Sequence, residues 1–90
     1  MASTIKLADL PNQIRLPYIE QGDSPGFPVV FLHGVAGSWR DFDLVLPRLP
    51  ASIHAFALTQ RGHGDASHPA AGYRLQHFAA DLTAFFDTLD

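Results

Sequence analysis

Ninety residues make one small domain or part of a larger one. With 47% hydrophobic residues and a net charge of -3, disorder is excluded, and no basic face stands out for nucleic acid. The absence of cysteine excludes a disulfide framework, a thiolate nucleophile and a Cys-based zinc site.

Residues 1–10 lack a basic start followed by a long apolar core, and no apolar run approaches the length of a membrane span. The expectation is a cytoplasmic chain with no membrane partner. Within residues 1–13, Ile5 and Leu7 alternate with polar neighbours, which fits either a short edge strand or a disordered lead. Residues 14–20 alternate loosely at period two. Pro17 cannot donate a ladder hydrogen bond, which predicts an outer strand there. Asp23-Ser24-Pro25-Gly26 is a turn by composition.

Val29-Val30-Phe31-Leu32 then runs straight into His33-Gly34, which predicts a strand buried on both faces and a tight loop at its carboxyl end. Ser38 suits a helix N-cap, with Asp41 three residues on, and Trp39, Phe42, Val45, Leu46 and Leu49 fall near one helical face. Pro47 and Pro50 limit that helix. Residues 53–58 form a second buried strand, and 59–69 a polar loop with two glycines, in which Arg61 can pair with Asp65. From Leu75 the positions 75, 78, 79, 82, 86 and 89 trace a helical stripe. Strand, helix, strand, helix with short loops predicts an α/β fold with a partial, doubly wound, mostly parallel sheet. No helix stop precedes Asp90, so residues 1–90 are expected to be an incomplete segment of a single domain.

Three patterns bear on chemistry. His33-Gly34-Val35-Ala36-Gly37 follows the first buried strand. Glycine at 34 allows a sharp turn and a close ligand approach, and the turn can aim the Val35 N–H at a developing oxyanion. On its own, an H-G-x-x-G loop fits any strand-to-helix connection equally. Arg61-Gly62-His63-Gly64-Asp65 lacks the third glycine of a dinucleotide loop, and the chain has no Walker lysine, so a supporting loop is expected rather than a phosphate site. Gly22-Asp23-Ser24-Pro25-Gly26 satisfies G-x-S-x-G in form only. Pro25 has no N–H to give an oxyanion hole, and a strand follows instead of a helix. The five histidines, 33, 54, 63, 68 and 77, form no H-E-x-x-H pair, so no metal site is expected. Trp39, Phe85 and Phe86 read as core, with Trp39 alternatively lining a substrate pocket near the H-G loop.

The two loops together, H-G-x-x-G-S-W and Q-R-G-H-G-D-A-S on successive strands, make residues 14–90 resemble the α/β-hydrolase fold family: its esterases, lactonases, epoxide hydrolases and non-haem perhydrolases. The resemblance implies the amino-terminal part of that fold. It implies that Val35 supplies one oxyanion-hole N–H, that His33 and Gly34 shape its loop, that the 61–67 loop buttresses it, and that no cofactor takes part. The family's nucleophile elbow, acid and distant histidine are not among these residues. The expected function is therefore part of a hydrolase whose partner is a small ester, lactone or similar substrate. The alternative is a non-catalytic interaction module. The family's strand order puts the nucleophile strand beside residues 29–32, so the isolated chain is expected to self-associate through that open edge.

Overall fold

Ala55, Phe56, Ala57 and Leu58 are all buried, and they form the centre of the molecule. They lie in β4 (Ile53–Leu58), flanked by β2 (Arg15–Gln21) and β3 (Phe27–Leu32), with β1 (Ile5–Asp9) outside β2. The computed structural model describes residues 4–22 and 25–89. Asp23 and Ser24, and with them the rejected elbow serine, lie outside the described residues.

The side chains of β4 divide by size. Ala55 and Ala57 leave room on one face for Trp39, Phe42, Leu46 and Leu49 to lie close to the sheet. Phe56 and Leu58 point to the other face, where they meet Leu16, Ala66 and Phe85. Phe85, on helix α1 (Leu75–Thr88), also meets the Tyr18 ring edge-on at 5.0 Å. Elements therefore cover both faces, the doubly wound arrangement expected of an α/β fold.

The sheet is mixed: β3 pairs with β4 in parallel, whereas β1–β2 and β2–β4 are antiparallel. The antiparallel half follows from a tight turn after β1, closed by the Leu10 N–H donating to the Ile14 carbonyl at 2.8 Å, with Gln13 at φ 66°. The first strand is thus real and lies at one edge. β2, expected outside, lies inside. Its Pro17 sits just past the ladder with β4, where the Thr59 N–H donates to the Pro17 carbonyl at 2.9 Å. The missing proline N–H costs only the reciprocal bond of this terminal pair.

β3, expected to be buried on both faces, has no buried residue, and Phe27 is 70% exposed; it is the other edge strand, with the open flank expected of it. An apolar run does not distinguish a central strand from an edge with a bare flank. The expected helix after Ser38 is two single 3₁₀ turns, Trp39–Phe42 and Leu46–Arg48. Ser38 does cap the first, accepting from the Arg40 N–H at 3.2 Å. Pro47, inside the second turn, removes a donor that a continuing α-helix needs.

The helix α1 begins where predicted, but its buried face is rotated. Asp81 and Phe85 are buried, whereas Leu75 is 84% exposed and Phe86, expected in the core, is exposed as well. The cause is Arg61. Its partner is Asp81 rather than the exposed Asp65: Nε and Nη2 donate to the two carboxylate oxygens, each at 2.6 Å, and Nη1 donates to the Gly72 carbonyl at 2.8 Å. The carboxylate holds the Arg61 guanidinium further above its already high range. Both groups are buried, so an unpaired survivor keeps the full desolvation penalty. Asp81→Ala is expected to destabilise the fold by about 3–5 kcal/mol in urea unfolding, and Asp65→Ala to stay within about 0.5 kcal/mol of wild type. Equal effects would remove Asp81 as the anchor.

Candidate functional site

β3 and β4 are in register to their last residues, Leu32 beside Leu58. Two parallel strands ending together release their loops side by side at one end of the sheet, where open α/β sheets place ligand sites. The H-G loop leaves β3 there, and the loop beginning Thr59-Gln60-Arg61 leaves β4.

Gln60 holds the start of the H-G loop twice. Its backbone N–H donates to His33 Nε2 at 3.0 Å, and its side-chain amide donates to the His33 carbonyl at 2.9 Å. The buried His33 ring contacts the Gly34 carbonyl through Nδ1 at 2.7 Å. A ring nitrogen that accepts leaves the other to donate, so these contacts select the neutral tautomer with its proton on Nδ1. Thr59 holds the far end of the loop, its Oγ1 accepting the Trp39 N–H at 2.9 Å. His63 closes the side: its ring meets that of His33 at 4.8 Å, and its Nδ1 contacts the Arg61 carbonyl at 2.9 Å.

Between the two grips lies a turn in which the Gly37 N–H donates to the Gly34 carbonyl at 3.0 Å. Val35 and Ala36 are its central residues. Ala36 has φ 67°, the left-handed conformation that type II turns require at their third position. Val35 is 98% exposed, and its N–H takes no part in the turn's own hydrogen bond. The two glycines differ. A Cβ on Gly37 would meet the Asp41 carboxylate, His33 Cβ at 3.0 Å and the Gly34 carbonyl oxygen at 3.1 Å, whereas a Cβ on Gly34 would meet nothing within 4 Å. The fold itself therefore needs glycine at 37. At 34 it leaves open space.

His33, Gly34 and Val35 thus come together as one unit. Trp39 stands apart, packed against the cluster of Ile19, Leu46 and Ala57 with the Arg40 guanidinium 4.7 Å over its ring. Trp39 borders a groove of about 770 Å³ with Glu20, Asp43 and Leu46, and a hollow of about 120 Å³ with Ser38, Thr59 and Gly64. His33, Gly34 and Val35 line neither. His54 belongs to the opposite end of the sheet, where Nε2 contacts Glu20 at 2.5 Å. Glu20 also accepts from Lys6 at 2.7 Å, and this bond keeps its carboxyl below the ordinary carboxylate range. Among the described residues, no three His, Cys, Asp or Glu gather as metal ligands, and no helix is long and apolar enough to cross a membrane. Sequence reasoning missed Thr59 and Gln60. Their signal was positional: two polar residues directly after a buried strand, level with His33 on its parallel neighbour.

No protein-family profile matches the chain. It is 34% identical over 71 residues to a soluble epoxide hydrolase of Corynebacterium sp. (strain C12), covering 79% of this chain and 24% of that protein. It is 36% identical over 74 residues to a non-heme chloroperoxidase of Streptomyces lividans, covering 81% and 27%. Among solved structures, E-2-(acetamidomethylene)succinate hydrolase superposes with a TM-score of 0.89 at 28% identity, over 98% of this chain and 32% of that one. Epoxide hydrolase CorEH gives 0.88 at 31% identity, over 98% and 30%. The chain spans about a quarter of the length of these curated relatives.

The contrast between the glycines is testable. Gly37→Ala is expected to cost about 1–3 kcal/mol through crowding, and Gly34→Ala to leave thermal stability within about 0.5 kcal/mol. Equal losses at both positions would mean that the turn is not built as described.

Proposed function

The chain belongs to the α/β-hydrolase fold family, and from that membership we propose that it is the amino-terminal part of a longer hydrolase acting on an ester, lactone or similar small substrate. In this reading the Val35 N–H is one of two donors to the oxyanion that forms when the substrate carbonyl is attacked. The observation that carries it is the gripped turn: a backbone N–H unused by its own turn, at the common carboxyl end of two parallel strands. Such a donor works by being aimed beforehand at the place where charge develops, so that no reorganisation is needed during reaction. His33 and Gly34 shape the turn that carries it. The nucleophile, its base and the second donor are assigned to the rest of the enzyme.

The intact mass of the native protein is the first test. A mass well above 9.8 kDa supports the reading, and a mass of 9.8 kDa overturns it. In the longer protein, Val35→Pro removes the N–H at a turn position that suits proline. It should lower kcat on the native substrate by about 10²–10³-fold with the fold intact. Unchanged kcat would rule out the donor.

A second reading, a non-catalytic chain that docks on copies of itself, draws on the bare flank of β3. The Phe27 N–H donates toward β4, to the Ser52 carbonyl at 2.8 Å, so by alternation the backbone groups of Pro28, Val30 and Leu32 face outward. Pro28 brings no donor to that edge, which leaves Val30 and Leu32 as the pairing groups. The isolated 90-residue chain is expected to elute from size-exclusion chromatography as a dimer or larger. A monomer with cooperative melting would remove this reading.

A further inference from the structure

We infer that Gln60 is a positioning residue for the proposed oxyanion donor, acting through His33 on a single peptide plane; the inference rests on the reading of Val35 just given. The Gly34 carbonyl and the Val35 N–H are the two poles of one peptide unit, and in a trans peptide they point in opposite directions. What holds the carbonyl aims the N–H. Two donors hold it, the His33 Nδ1–H at 2.7 Å and the Gly37 N–H at 3.0 Å.

On the Gly34 side, sterics do not hold this plane. Glycine 34 carries no side chain, and the space where a Cβ would stand is empty. Glycine also populates more backbone conformations than any other residue. Rotation of the plane would turn the carbonyl, rather than the N–H, toward the substrate, replacing attraction for an oxyanion with repulsion. The orientation therefore depends on hydrogen bonds to the carbonyl.

His33 can donate from Nδ1 only if its ring is oriented and Nε2 is free to accept. Gln60 meets both needs. Its N–H occupies Nε2 at 3.0 Å, and its side-chain amide fixes the His33 carbonyl at 2.9 Å, so ring and backbone are clamped from one residue. Gln60 is itself held in place because it lies between Thr59, which is bonded to β2 and to Trp39, and Arg61, which is locked to α1. The route runs from Gln60 to the His33 ring, from Nδ1 to the Gly34 carbonyl, and so to the opposite pole at Val35.

The test uses the hydrolase that carries this chain. Gln60→Glu keeps the side-chain length but cannot donate to the His33 carbonyl, and Gln60→Leu removes the polar group. Both are expected to lower kcat about 10-fold or more, with KM unchanged and the protein still folded and melting cooperatively. In the Val35→Pro background neither should lower kcat further, because the N–H they position is gone. Full kcat in the Gln60→Glu variant overturns the inference, and so does a loss additive with Val35→Pro. If Val35→Pro alone has no effect, the donor reading fails instead. A second measurement does not depend on activity: residual dipolar couplings of the Gly34 and Val35 amides should change in Gln60→Leu while those of β4 do not. Unchanged couplings overturn the inference as well.

Discussion

A guanidinium buried at the end of the central strand constrains the rest of this structure. Arg61 follows β4 by three residues and is removed from water. Such a group is tolerated only when its donors are met. Here the Asp81 carboxylate takes two and the Gly72 carbonyl a third. Each partner lies on a different piece of chain, so satisfying one side chain docks α1 and the segment before it at once. The demand reaches into the glycine that supplies the carbonyl. Gly72 has φ 97°, and a Cβ there would stand 2.8 Å from Arg61 Nη1. A buried ion pair of this kind contributes little net stability compared with apolar packing, but it is selective. It admits one rotation of α1, the one with Asp81 and Phe85 inward.

That anchor also explains why the candidate site is well held although it consists of loops. Thr59, Gln60 and Arg61 are consecutive and act in different directions. Thr59 reaches the start of the first 3₁₀ turn, Gln60 reaches His33, and Arg61 reaches α1. A strand end fixed on one side can serve as a rigid post for a neighbour on the other. Parallel pairing makes this possible: only strands running the same way bring the loop after one beside the loop after the other. The antiparallel half of the sheet, β1 and β2, lies on the far side of β4 from the H-G loop and holds Thr59 through the Pro17 carbonyl.

Much of this was legible in the residues. The apolar run at 53–58, the Ser38 cap and the start of α1 follow from composition and period. The H-G loop could be located because it comes directly after an apolar strand and pairs with a second glycine loop after the next one. What was not legible depended on partners distant in sequence. Pro17 marks an outer strand only if its N–H would face a neighbour; at the last rung of a ladder it is harmless, and that depends on where β4 ends. Asp65 is the near partner for Arg61 and Asp81 the far one. Sequence spacing favours the near pair, whereas burial favours the far one. The stripe on α1 departs from its apolar count for the same reason, since such a count cannot include a carboxylate that turns inward. The span after Ser38 has helical spacing, yet prolines at 47 and 50 leave too few donors for α-helical turns, and the chain takes the tighter 3₁₀ form.

The two edges of the sheet differ in kind, and the difference bears on what the chain is for. β1 carries Lys6 and Asp9, both engaged in ion pairs with β2. Charge on an edge strand discourages pairing with another chain. β3 carries no charge at all: Phe27, Pro28, Val29, Val30, Phe31 and Leu32 are uniformly apolar, and the strand is only half covered. An edge of that composition is unfavourable in water and favourable beneath a neighbour. Pro28 removes one outward donor at the end away from the H-G loop, which leaves the end beside that loop able to pair. The unprotected part of the edge is thus the part nearest the candidate donor. A strand added there, from the same chain or another, would bring its own carboxyl-end loop beside Val35 if it ran parallel to β3, and its amino-terminal end if it ran the other way. Parallel addition would set two loops side by side, as the pairing of β3 with β4 already does. The proposed hydrolase and the proposed self-associating chain therefore share one unmet surface, the bare flank of β3.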